Sequence, residues 1–197
     1  MDTWKLPTTL RVGWKEYEIR TDYRAVLDIL IAMNDPDIYA GMNEQEKNAE
    51  QSMTMLQILY LDFDSIPPQH WKEAAEQAIE FIDCGFSSDN KPKPRLMDWN
   101  QDAPILIPAV NKVAGKDIRA GKYMHWWTFL GLFMEIGEST FATVVGLRDK
   151  KKRGKKLEKW EQEFYKNNKS LVDLKVKQIE RSEEEKEELR ELFGFKK

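Results

Sequence analysis

A chain of 197 residues with 41% apolar and 11% aromatic content suffices for one core of ordinary size, or for one domain with an extension, and argues against two large domains. Thirty-one Lys and Arg nearly cancel 34 Asp and Glu, so the formal net charge of -3 names no partner for the chain as a whole. The cancellation is uneven, because residues 151–197 hold 15 Lys/Arg against 11 Asp/Glu, a local +4 that leaves -7 on the first 150.

Cys84 is the only cysteine, which excludes an intramolecular disulfide and a Cys-based zinc site and reads as a small hydrophobe in a reducing compartment. The first residues lack the apolar stretch of a signal peptide, and no run approaches the roughly 18 apolar residues of a membrane span. The expectation is a cytoplasmic protein with no membrane association.

Residues 8–20 alternate apolar and polar side chains on both sides of Gly13, the pattern of two short strands around a tight turn. Asp22 is placed to cap a helix through Met33 that carries Val26, Ile29, Leu30 and Met33 at helical spacing, with Asn34-Asp35-Pro36 as its stop. Asn43 and Glu46 form a capping box for a second helix that grows more apolar toward Tyr60. After Pro67 and Pro68, a third helix puts Trp71, Ala74, Ala75, Ala78, Ile79 and Ile82 on one stripe and ends at Gly85.

Residues 85–97 are rich in Ser, Pro and charge, the composition of a linker. A short apolar helix then runs from Ile105 to Val113, with Pro108 near its first turn and Gly115 at its end. Residues 123–136 are apolar almost all round, as a central buried helix would be. Ser139 or Glu138 restarts the chain as a helix bearing Phe141, Val144, Val145 and Leu147; residues 148–159 hold eight bases and two acids, a stretch expected to be solvated. An amphipathic segment follows at 157–168 through Leu157, Trp160, Phe164 and Tyr165, and a mostly polar helix at 182–194 with Ser182 as its cap. The fold class read from this is mainly α: a helical domain with a short N-terminal β-hairpin and a charged helical C-terminal extension. The divisions are 1–84 for hairpin and helices, 85–97 for the linker, 98–150 for an apolar helical core and 151–197 for the extension.

Motifs that carry catalysis are not found, so no enzyme activity, cofactor or metal is expected. His70 and His125 lie 55 residues apart without a second ligand at zinc spacing, and each reads as a structural histidine. Glu135 and Glu138 share a helical face and suit an acid pair or a divalent ion, but more often such acids cap helices or meet arginines. No phosphate loop, nucleophile elbow or kinase signature occurs.

Two surfaces suit partners. Trp126, Trp127, Phe129, Phe133 and Phe141 could line a groove for a partner helix or a second copy of the chain, or could be core, or both. Arg148, Lys150, Lys151, Lys152 and Arg153 suit phosphates or an acidic protein partner; the acidic remainder of the chain argues against nucleic acid.

Gly115-Lys-Asp-Ile-Arg119, Tyr123-Met-His-Trp-Trp-Thr-Phe-Leu-Gly131, Glu135-Ile-Gly-Glu-Ser-Thr-Phe141 and Leu147-Arg-Asp-Lys-Lys, with Leu61-Asp-Phe-Asp upstream and Lys155-Lys-Leu-Glu-Lys-Trp-Glu-Gln-Glu-Phe-Tyr165 downstream, resemble a tailed-bacteriophage family named after gene product fifteen of a siphophage. The resemblance spans most of the chain, least at residues 1–20 and 180–197. It implies a tail morphogenesis factor of the host bacterial cytoplasm: a tail assembly chaperone that keeps the tape-measure protein soluble and helps recruit tail-tube protein, or a minor structural component that stays in the virion tail. It carries over no catalytic residue.

Overall fold

Leu10, Val12, Tyr17 and Ile19 alternate with Arg11, Glu16, Glu18 and Arg20, and in the computed structural model the first set is buried and the second exposed. The structure describes residues 5–86 and 94–175. Strands β1 (Thr9–Val12) and β2 (Lys15–Glu18) pair antiparallel in the register Leu10↔Tyr17 and Val12↔Lys15. Their two-residue turn begins at Gly13 with φ 62°, a conformation glycine adopts without strain, and a Cβ there would meet His70 Cε1 at 3.3 Å.

The described residues form two compact units, one of 5–86 with His125–Trp127 and one of 94–124 with 128–175. In the first, α1 (Tyr23–Met33) and α2 (Glu44–Leu59) pack on each other, and α3 (Trp71–Ile82) packs on α2 and β1. The caps are those the sequence predicts: Asp22 accepts from the Arg24 amide, and Asn43 and Glu46 close a capping box. Arg20 binds the end of α2, its Nη1 donating to the carbonyls of Ile58 at 2.6 Å and Tyr60 at 3.2 Å. Tyr60 is buried and its hydroxyl donates to the Ala74 carbonyl at 3.0 Å. The buried stripe of α3 is Ala74, Ala78, Phe81 and Ile82; Ile79, expected on it, is half exposed.

The second unit is built on α4 (Ala103–Ala114), α6 (Thr140–Lys152), α7 (Lys159–Asn167) and the single turn α8 (Lys169–Val172). Pro104 occupies the first turn of α4, so Pro108 lies in the interior instead and leaves the carbonyl of residue 104 without its helical donor. Gly115 ends the helix at φ 66°, and Ser139 caps α6 by accepting from the Ala142 amide. Val144, Leu147 and Val172 form a buried cluster, with Ile105, Leu157, Phe164 and Tyr165 packed against it.

Helix α5 (Trp126–Met134) begins among the residues of the first unit and continues in the second. It is shorter than the apolar run 123–136 suggests: Tyr123 lies before it and Met134 ends it, each 59% exposed. The expected helix over 182–194 and most of the expected linker lie outside the described residues.

Candidate functional site

The side chains of His125, Trp126 and Trp127 all hydrogen-bond to the backbone. The Trp126 indole donates to the Ile82 carbonyl at 2.8 Å and the Trp127 indole to the Phe81 carbonyl at 2.8 Å. Both acceptors belong to the last turn of α3, where helical carbonyls lack intrahelical donors. The Trp126 amide donates to the Thr21 carbonyl at 2.7 Å.

His125 is buried, and its tautomer follows from its partners. Nε2 lies 2.9 Å from the Pro7 carbonyl, which can only accept, so Nε2 carries the hydrogen. Nδ1 accepts from the Trp127 amide at 3.0 Å, capping the start of α5, and must be bare. Burial accordingly lowers its pKa, against a smaller opposing effect of the Pro7 hydrogen bond. This arrangement holds a neutral imidazole in a structural role. His70, partly exposed, sits with Nδ1 at 3.4 Å from Glu73 and its ring edge-on to Trp14.

The five aromatic residues nominated as a partner surface separate between the units. Trp126 is 2% exposed, Phe129 is buried and Phe141 is buried; Trp127 and Phe133 are half-buried. In the second unit Phe133 lies 5.5 Å from the ring of Trp99 and 5.9 Å from that of Phe141. Among the described residues the large aromatic groups most open to solvent are others: Trp14 at 86%, and Trp160, Tyr123 and Phe86 at 59% each. Trp14 stands at the tip of the hairpin, whose turn is tied down by the Gly13 amide donating to Glu73 at 2.9 Å. Trp160 was expected on the apolar face of its helix, but that face is supplied by Phe164 and Tyr165.

The basic run divides in the same manner. Arg148, expected in solvent, is buried, and its guanidinium donates to Asp102 at 2.6 and 2.8 Å, to the carbonyls of Val172 at 2.6 Å and Leu171 at 2.9 Å, and to Leu96 at 3.0 Å. Asp102, fully buried before α4, also accepts from the Asp98 amide. Lys150 pairs with buried Glu161 at 2.7 Å, and Arg153 with Asp149 at 2.8 Å. Lys151 pairs with Asp173 at 2.5 Å and lies 3.8 Å from the centre of the Tyr165 ring. Burial opposes the charge of Lys151, but Asp173 and Tyr165 outweigh it and hold the ammonium above its ordinary range. Lys150 and the Glu158 amide hold the Glu161 carboxyl below its own.

Of the five cations nominated for an electrostatic contact, only Lys152 has no carboxylate partner among the described residues. In the sequence Asp102, directly before an apolar helix, reads as an ordinary cap, and nothing local marks it as the partner of Arg148. Glu135 and Glu138 are both exposed, and among the described residues no group of three His, Cys, Asp or Glu is placed to hold a metal ion. No described helix is long and apolar enough to cross a membrane.

A protein-family model described as Bacteriophage Gp15 protein matches residues 4–174. No curated protein and no solved structure matches the chain.

Proposed function

We infer the role from the fact that the chain belongs to the Bacteriophage Gp15 protein family: this bacteriophage protein serves tail morphogenesis by binding other proteins and has no catalytic activity of its own. Its principal partner is the tape-measure protein, which it keeps soluble in the host cytoplasm until tail-tube protein assembles. The resemblance of its central motifs supports the phage-tail part of this reading.

The observation that carries the protein-binding part is Trp14. Its indole is 86% exposed, and the turn beneath it is fastened by Glu73 and backed by His70. A fixed aromatic group at a protruding tip is a ready interface anchor, since little conformational freedom is lost when a partner covers it. An amphipathic helix of the tape-measure protein would receive it between apolar side chains spaced three and four residues apart.

Co-expression with the tape-measure protein tests the proposal. The two should co-purify, the tape-measure protein should gain solubility, and Trp14→Ala should reduce the co-purified amount about tenfold while leaving the fold intact. Failure of the wild-type chain to co-purify or to raise solubility would sink the chaperone reading. Mass spectrometry of purified virions separates the alternative: a stoichiometric amount of this chain in tails makes it a structural component.

A further inference from the structure

Lys152, the last residue of α6, and Lys155, Lys156 and Lys159, in the connection to α7 and at its start, have no carboxylate partner among the described residues. Trp160 follows at once and is 59% exposed. Both ends of this short connection are held. Lys150 in the last turn of α6 reaches Glu161 in the first turn of α7 at 2.7 Å. Lys151 reaches Asp173 at 2.5 Å, and the Tyr165 hydroxyl donates to the same carboxylate at 2.9 Å. The Lys155 amide donates to the Lys150 carbonyl at 2.8 Å, closing the end of α6 over Gly154.

The run of bases therefore contains two classes of cation. Arg148, Lys150, Lys151 and Arg153 hold the fold, whereas Lys152, Lys155, Lys156 and Lys159 project from a tethered loop with an indole beside them.

We propose that this loop is a docking site for an acidic, amphipathic segment of a partner protein, whose carboxylates meet the four lysines and whose apolar side chains cover Trp160. The proposal rests on the protein-binding reading above for the class of partner but uses a different surface from Trp14. Charge complementarity selects an acidic occupant, and Glu158 is the one carboxylate within the loop to oppose it. A short protein segment fits better than nucleic acid because charge is screened within about 8 Å at physiological salt. The first 150 residues carry a net -7, so they offer a polyanion no further counter-charge.

The test uses the full chain and a fluorescein-labelled helical peptide of about 20 residues, with glutamates on one face and leucines on the other. Binding should weaken at least about tenfold between roughly 50 and 300 mM salt, and about tenfold in the Lys152→Gln, Lys155→Gln, Lys156→Gln, Lys159→Gln variant. Trp160→Ala should weaken it about fivefold with no change in the melting curve, and the emission difference between wild type and Trp160→Phe should shift to the blue on binding. Absence of peptide binding, or binding indifferent to these substitutions, overturns the proposal. A single-stranded oligothymidylate of equal charge that binds as tightly through the same lysines overturns it in favour of nucleic acid. Persistence of tape-measure co-purification in the quadruple variant leaves the reading based on Trp14 standing by itself, so the two ideas fail separately.

Discussion

Replacing Arg148 by methionine keeps most of the aliphatic volume and removes only charge and hydrogen bonds, which makes it a sharp probe of the second unit. The guanidinium makes five hydrogen bonds at 2.6 to 3.0 Å, two of them to Asp102, and the two side chains are 4% and 0% exposed. Arg148→Met strands a buried carboxylate, left with the Asp98 amide as its donor among the described residues, together with the carbonyls of Leu96, Leu171 and Val172. Breaking a buried pair from one side costs about 3–5 kcal/mol, a large share of the roughly 5–15 kcal/mol that stabilises an ordinary domain. Urea denaturation followed by far-UV circular dichroism should show that loss in the transition of the second unit. The double variant Arg148→Met, Asp102→Leu should recover part of it, with a coupling of about 0.5–3 kcal/mol, but not all, because the three carbonyls remain without their donor. A loss below about 1 kcal/mol in the single variant would match an exposed ion pair and refute the reasoning.

His125 gives a prediction in pH. Its folded pKa is lowered from the ordinary 6.5, so the unfolded chain takes up a proton that the folded chain resists; stability is complete above 6.5 and falls as pH drops below it. Denaturation midpoints measured from about pH 8 to about pH 5 should decline, and His125→Asn should flatten the decline; an equal slope in the variant excludes His125 as its source. Trp126→Phe and Trp127→Phe each remove one indole donor to the end of α3, a loss of about 1 kcal/mol apiece. Trp126→Phe should lose more, because its ring is the more deeply buried and leaves a cavity, and the reverse order in denaturant would count against that account. Cys84 has φ 58°, in the left-handed region, so Cys84→Gly should raise the thermal midpoint by the equivalent of about 0.5 kcal/mol, and a lowered midpoint would show that the side chain contributes more than its strain costs.

Features of the fold that depend on neighbours in sequence were legible in it. Asp22, Asn43 and Ser139 cap helices through amides two or three residues away, and the hairpin follows from alternation around one glycine. What escaped depends on partners far along the chain. Arg148 sits among lysines and looks solvated, but its carboxylate lies 46 residues earlier, and no local pattern distinguishes the one base in that run that is itself buried. The same holds for Trp160 and Ile79, where helical spacing defines a stripe but not which edge of it meets the core. Aromatic content drew the proposed interface toward Trp126 and Phe129, yet large apolar side chains are also the first to be buried. The exposed candidates, Trp14 and Trp160, stand in polar surroundings that composition does not highlight.

The triplet that secures α3 is contributed by a segment whose flanking residues, 94–124 and 128–175, belong to the other unit. The first unit is thus discontinuous in the chain, and a fragment ending at residue 88 would lack the donors that Phe81, Ile82 and Pro7 engage. Such a fragment should be poorly folded alone but rescued when the complementary piece, 89–197, is produced in the same cell. His125, Trp126 and Trp127 are thus a piece of the first unit that the chain supplies only after it has begun the second.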